Sequence, residues 1–266
     1  MGDLGGTHRQ VSFFAFYFPP WWPLLIQSTT KSLFMKPRLK LAESTTSSGS
    51  VMGLYEQDGA YSINIGGQEL MHSKANASEC LLGSLGMARM EGEKASRVLV
   101  GGLGLGYTLR NVLKAAGTQS QIDVVELFKE VVEWNLTHLK DLNGSLLEDP
   151  RVVIKVADVV SVIQGAEKES YDVILLDVDN GPIALVDKNN RFLYSKQGLG
   201  SIRRMLRPNG RAVFWSAGKD THFERRLQKA GFQVKAEPAK RYLSAKRAAC
   251  MLYVVDQPQA EEVQTA

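Results

Sequence analysis

The sequence predicts an α/β protein, a doubly wound parallel-type sheet of seven strands preceded by a small N-terminal β module. Three observations predict it. Beyond Arg97, short and nearly continuous apolar runs alternate with helical segments, as expected of strands buried on both faces and joined by crossover helices. A glycine-rich turn follows the first of those runs. Upstream, Asp58-Gly59 and Gly66-Gly67 punctuate LYEQDGAYSINIGGQEL at the positions where tight hairpins need positive φ.

Taken in order, the chain begins with an anomalous segment. Residues 11–26, VSFFAFYFPPWWPLLI, are its most apolar run, yet they are fewer than the roughly 20 residues that span a bilayer, and Pro19, Pro20 and Pro23 interrupt them. No membrane association is expected. Arg9 precedes the run, but no small-x-small cleavage pattern follows closely, so secretion is not expected either. Residues 1–34 therefore read as a non-core or disordered extension, and Met35 opens a more ordinary stretch. Residues 35–90 make the β module and a linking helix, ASECLLGSLGMARM, with Leu81, Leu82, Leu85 and Ala88 on one face. Residues 91–256 form the ligand-binding sheet domain, and 257–266 a polar tail.

Within that domain the strands are RVLVGG, QIDVVEL, RVVIKV, YDVILLDV and RAVFWSA. Helices are predicted over Tyr107–Ala116, Lys129–Leu139, Val159–Ile163 and Lys196–Leu206. A helix over Thr221–Ala230 then leads to two last strands, GFQVKAE and AACMLYVVD, with KRYLSAKR as their polar connection.

Composition narrows the function classes. Lys plus Arg number 32 against 28 Asp plus Glu, a net charge of +4, which is small for a dedicated nucleic-acid binder, and no nucleic-acid partner is expected. Arg203, Arg204 and Arg207 read as a solvated helix face. Cys80 and Cys250 lie far apart, without metal-ligand spacing, so no metal site or disulfide framework is expected and a cytoplasmic location is the simplest.

Open α/β sheets bind ligands beyond the carboxyl ends of their strands. There the first strand gives GGLGLG, Gly101 to Gly106, whose glycines permit a tight turn and let a ligand approach backbone at a helix N-terminus. After the second strand stands Glu126, placed to accept ribose hydroxyls. Asp158 follows the third, and Asp177 and Asp179 follow the fourth. Any one acid reads equally as a cap or a solvated strand end; in register on one sheet they describe a nucleoside pocket. Its two leading ligands are a dinucleotide and S-adenosylmethionine. The spacing Gly102, Gly104, Gly106, with Tyr107 where a dinucleotide fingerprint wants its last glycine, demotes the dinucleotide.

VLVGGLGLGYTLRNVL, IDVVELFKEVVEWN, DPRVVIKVAD, YDVILLDVDNGP and LRPNGRAVFWSA carry a resemblance. Over roughly Leu54 to Asp256 the chain resembles the S-adenosylmethionine-dependent transferases of the class I methyltransferase fold, and within them the spermidine synthase-like family. The resemblance implies a Rossmann-like methyltransferase sheet in which Gly102, Gly104 and Gly106 cradle the methionine part of the donor. It further implies that Glu126 binds the ribose, Asp158 meets the adenine amino group and Asp177 faces the reacting centre. A small-molecule acceptor and a homodimer are implied as well.

Polyamine-forming members carry GGGDGG, whose Asp holds the amino end of decarboxylated S-adenosylmethionine; here Gly104 stands in its place. They also carry D-S-S-D-P, where this chain has Asp177, Val178, Asp179, Asn180 and Gly181, and a tyrosine that QELMHSKANASE does not supply. These departures point away from spermidine synthesis itself, and Gly104 favours a donor that keeps its carboxylate.

The expected activity is transfer of a methyl or aminopropyl-type group to a small acceptor, an amine by preference. Asp177 would orient or deprotonate the acceptor, Asp179 support it, and Tyr194 hydrogen-bond the acceptor, with the stretch from Asn180 to Tyr194 long enough for a lid. Tyr194 reads equally as a core aromatic, His72 as a surface residue and Trp215 as packing. The alternative to an enzyme is a nucleoside-binding scaffold that retained the fold.

Overall fold

A computed structural model describes residues 36–46, 49–90, 95–178 and 188–258. The predicted extension over 1–34, Asp179, most of the Asn180–Tyr194 connection and nearly all of the polar tail lie outside the described residues.

Four strands open the chain, β1 (Leu39–Thr45), β2 (Val51–Gln57), β3 (Ala60–Ile65) and β4 (Gln68–His72), paired antiparallel in sequence order. The two dipeptides turn the hairpins as expected, with φ of 50° and 72° at Asp58 and Gly59 and 57° and 83° at Gly66 and Gly67. β1 precedes the stretch that the two hairpin dipeptides mark out.

α1 (Ala77–Met87) follows, but the face it buries differs from the predicted one. Leu82, Gly83, Gly86 and Met87 are buried, Leu81 and Leu85 only partly so, and Ala88 is exposed. The glycines decide this rotation. A Cβ at Gly83 would lie 2.8 Å from the Thr108 carbonyl oxygen, and one at Gly86 2.4 Å from Leu175 Cδ2. Residues that weaken the helix locally are what let it lie flush against its neighbours.

The large sheet is built from β5 (Arg97–Gly101), α2 (Tyr107–Ala115), β6 (Gln121–Glu126), α3 (Lys129–Leu136), α4 (Lys140–Asn143), β7 (Val152–Val156), α5 (Val159–Gly165), β8 (Tyr171–Leu176), α6 (Lys196–Met205), β9 (Leu206–Ser216), α7 (Thr221–Lys229), β10 (Gln233–Ala239) and β11 (Cys250–Asp256). The strand order is β10-β11-β9-β8-β5-β6-β7. β7, β6, β5, β8 and β9 run parallel, whereas β11 enters antiparallel between β9 and β10. The chain order reverses between β5 and β8, which opens a crevice where those two strands end.

Alternate residues of each central strand feed opposite cores. Val98 and Val100 pack with Val173 and Leu175 on one face, and Leu99 with Ile174 and Leu176 on the other. The first core also takes in Met52, Leu54 and Ile63, so the β module and the sheet share buried apolar surface. From Arg38 onward the chain is one compact unit. The second core holds Tyr194 edge-on to Phe223, 5.2 Å between ring centroids, beside Phe214 and Tyr253. Among the described residues no helix is long and apolar enough to cross a membrane.

At the amino end of the sheet, Asp123 is fully buried at its side chain and ties four adjacent strands. Its carboxylate accepts from Tyr171 Oη at 2.6 Å, Lys155 Nζ at 3.0 Å, Gln121 Nε2 at 2.9 Å and Arg97 Nη2 at 3.4 Å. Burial pushes this carboxyl up, but the bonds from Tyr171, Gln121 and Lys155 outweigh it and hold it below the usual carboxylate range. The same pairing and burial push the Tyr171 phenol up.

A carboxyl held low in the folded state contributes stability that is present above its unfolded value and is lost as pH falls through the folded one. Asp123→Asn is therefore expected to cost about 2 kcal/mol near neutrality. It should also flatten the fall in stability below about pH 4, both read from chemical denaturation across pH.

Candidate functional site

A cavity of about 350 Å³ lies over the carboxyl ends of β5, β6, β7 and β8. Its floor is the glycine turn, and what makes that turn possible is contact with β8. Gly102 sits at φ +92°, and a Cβ there would fall 2.4 Å from the carbonyl oxygen of Asp177. The Gly102 amide donates to Val125 O at 2.9 Å and the Asp177 amide to Gly101 O at 3.0 Å, so the turn is clamped between two strand ends. Gly104 faces Met71, whose Sδ would lie 3.1 Å from any Cβ added at that position. Gly106, also at positive φ, delivers the chain into α2.

Glu126, 5% exposed, closes the floor. Its Oε2 accepts from the Leu103 amide at 2.9 Å and the Gly104 amide at 3.4 Å, and its Oε1 from the Phe128 amide at 3.0 Å. Burial pushes this carboxyl up while those amides favour its charged form. The Leu127 amide adds to them. Asp158 lines the cavity while capping α5, accepting from the Val160 amide at 2.8 Å, so the bland and the functional readings of this residue coexist.

Asp177 lines the cavity beside the turn. Burial pushes its carboxyl up to about 8, and repulsion from Glu79 adds to the rise. Glu79 comes from the first turn of α1; its Oε2 accepts from Ser78 Oγ at 2.7 Å, and its carboxyl is likewise raised, chiefly by burial. Arg241 shares the lining, and its positive charge works against that rise. The opposite wall is β4, from Gln68 to His72, with Trp215 at the end of β9. Tyr107 fastens this wall to the sheet, its hydroxyl donating to Ser73 O at 2.8 Å.

Of the sequence-predicted residues, Gly102, Gly104, Glu126, Asp158 and Asp177 thus border one cavity. Gly106 stands just behind it, at the helix cap. Asp179 lies outside the described residues. Tyr194 does not border the cavity: it is 3% exposed and packed among Phe214 and Phe223, because an aromatic preceding α6 completes the second core rather than reaching across the strand ends. His72 and Trp215, read as surface and packing residues, do line the cavity. Glu79 and Arg241 gave no signal as site residues beyond their charge. They reach the cavity from α1 and the β10–β11 connection, elements with no place in the strand-end rule. Among the described residues no cluster of three or more His, Cys, Asp or Glu could hold a metal ion.

Chemically, this is a site of buried hydrogen-bond acceptors around a bare backbone turn. It suits a ligand that carries hydroxyl groups at one end and positive charge at the other.

Residues 78–254 match the spermine/spermidine synthase domain family. The chain is 30% identical to the polyamine aminopropyltransferase of Korarchaeum cryptofilum over 154 residues, 58% of this chain and 45% of that one. With the polyamine aminopropyltransferase of Pyrobaculum calidifontis it shares 30% over 148 residues, 53% of this chain and 50% of that one. These matches span half or less of those relatives' own length. In fold it is similar to a spermidine synthase crystallised with the transition-state analogue AdoDATO, with a TM-score of 0.66 at 19% identity, covering 85% of this chain and 78% of that one. The spermidine synthase of Thermotoga maritima gives a TM-score of 0.62 at 19% identity over the same shares.

The turn's dependence on glycine can be measured. Gly102→Ala forces a β-carbon onto the Asp177 carbonyl at a φ that alanine disfavours, and is expected to lower stability by about 2 kcal/mol or more. Gly200→Ala, where an added Cβ meets nothing within 4 Å, serves as the comparison in urea denaturation and should not destabilise.

Proposed function

The chain belongs to the spermine/spermidine synthase family, and from that premise we propose that it transfers an aminopropyl group from decarboxylated S-adenosylmethionine to the nitrogen of a small amine. The observation that carries this reading is that two half-buried carboxyl groups, Asp177 and Glu79, both raised by desolvation, line the cavity that also holds the glycine turn. An acidic, desolvated pair is what a cationic acceptor and a donor with a free ammonium group would seek.

The residues present fit the donor. A turn in which side chains are barred at Gly102 and tightly limited at Gly104 leaves backbone open to the donor's tail. Glu126 and Asp158 line the same cavity, Glu126 to accept from a ribose hydroxyl and Asp158 from an adenine amino group. When bound, the donor supplies an electrophilic carbon next to a positively charged sulfur, so no protein group is needed to activate the leaving group.

What the protein must do is present an uncharged amine in line with that carbon. Asp177 accepts the proton that the amine gives up. Repulsion between Asp177 and Glu79 favours one shared proton over two negative charges, which leaves one carboxylate ready to act as a base near neutral pH. Glu79 also brings to the cavity the negative charge that position 104 lacks. β4 and Trp215 restrict water on the opposite side.

A second reading, methyl transfer from intact S-adenosylmethionine, is favoured by Arg241, which lines the same cavity and whose positive charge would complement the donor's carboxylate. Calorimetric titration with both donors, followed by mass analysis of the product formed from an amine panel, separates the two. Tighter binding of the decarboxylated donor and an aminopropylated product are expected; preference for the intact donor with a methylated product would replace the first reading with the second.

Asp177→Asn should lower kcat by at least about 100-fold while leaving donor affinity within a few-fold of the parent, because the group lost handles a proton rather than the nucleoside. No turnover of the parent protein with any acceptor would favour the scaffold instead. Glu79→Gln removes the charge that helps hold Asp177 high. The acid limb of its pH–rate profile should accordingly move to lower pH, and an unmoved limb would separate the two carboxyl groups.

A further inference from the structure

At the opposite edge of the sheet, around the amino ends of β8 and β9, lies a second concavity of about 670 Å³ between α6, α7 and the residue that follows β11. It shares no residue with the cavity over the glycine turn. Its lining carries six cations, Lys168, Lys196, Arg203, Arg204, Arg226 and Lys229, against one carboxylate, Glu169.

Neighbouring acids neutralise little of this charge. Lys168 pairs with Glu169 at 3.0 Å, and Arg226 stands 4.0 Å from Asp220. Lys196, Arg203, Arg204 and Lys229 form no ion pair among the described residues; Arg203 donates only to a backbone carbonyl, Ala230 O, at 3.2 Å. Two of the lining residues each carry a buried polar atom without a hydrogen-bond partner among the described residues, the Arg226 Nε donor and the Gln257 Oε1 acceptor. Buried polar atoms of this kind in a native fold call for a partner.

We propose that this concavity is an anion site that takes a polyphosphate chain, either free or on a nucleoside. Four unpaired cations around one hollow hold like charges together at an energetic penalty, which a multiply charged anion removes. The guanidinium forks of Arg203 and Arg204 match phosphate oxygens. Single-stranded nucleic acid is disfavoured because the lining offers no aromatic side chain on which bases could stack. The site is independent of the transfer reaction proposed above.

The test is calorimetric titration of the full chain with inorganic triphosphate, ATP and a ten-nucleotide RNA. Saturable one-to-one binding of triphosphate is expected, weakened several-fold between low and physiological salt. It should fall about tenfold in Arg204→Gln and further in Arg204→Gln with Lys229→Gln. Both side chains are exposed, and thermal unfolding without ligand should match the parent. Lys114→Gln, an exposed cation outside the lining, should bind as the parent does. Equal affinity for triphosphate and ATP would assign recognition to the phosphates alone, and tighter ATP binding would add the nucleoside. Absence of saturation, an equal loss in Lys114→Gln, or unchanged binding in the double variant would overturn the proposal. RNA binding tighter than ATP would replace the small ligand with a nucleic acid.

Discussion

The buried carboxylate of Glu126 holds the ligand end of the molecule in shape. Its accepted amide bonds reach into the glycine turn and into the entrance of α3, so the loop after β5 and the loop after β6 are fixed to each other through one side chain. A turn so rich in glycine would otherwise sample many conformations, and its order would have to be supplied at each binding event. Because Gly102 also lies against the backbone at the end of β8, three strand ends are locked in one arrangement before any ligand arrives.

Against this rigid floor, the acidic character of the cavity comes from outside the parallel strands as well as from them. Asp177 ends β8, but Glu79 is carried in by α1, and α1 approaches closely only because Gly83 and Gly86 have no side chains on the buried face. Packing and electrostatics are thereby linked: the contact that seats the helix on the sheet also brings a second carboxyl group into a poorly solvated space, where burial raises both and the charge of Glu79 adds to the rise at Asp177. Such carboxyl groups are chemically apt for positively charged ligands.

The central sheet was legible in the sequence because each strand is buried on both faces and so appears as an unbroken apolar run. Once that order was in hand, topology alone put Glu126, Asp158 and Asp177 at neighbouring strand ends. What escaped depends on three-dimensional approach. The face of α1 could not be read from leucine spacing, since glycine contacts set its rotation. Glu79 and Arg241 become site residues only through that approach and through the path of the β10–β11 connection. Tyr194, with no periodic context around it, carried no signal to separate the second core from the cavity, and the core holds it.

The hairpin that ends in β4 forms one side of the cavity, and its Met71 lies against Gly104 of the glycine turn. A strand set by the two-residue turn at Gly66 and Gly67 can exchange its inward side chains without changing its register. Gln68, Leu70 and His72 all border the cavity on this strand, so recutting them would alter what fits against the glycine turn.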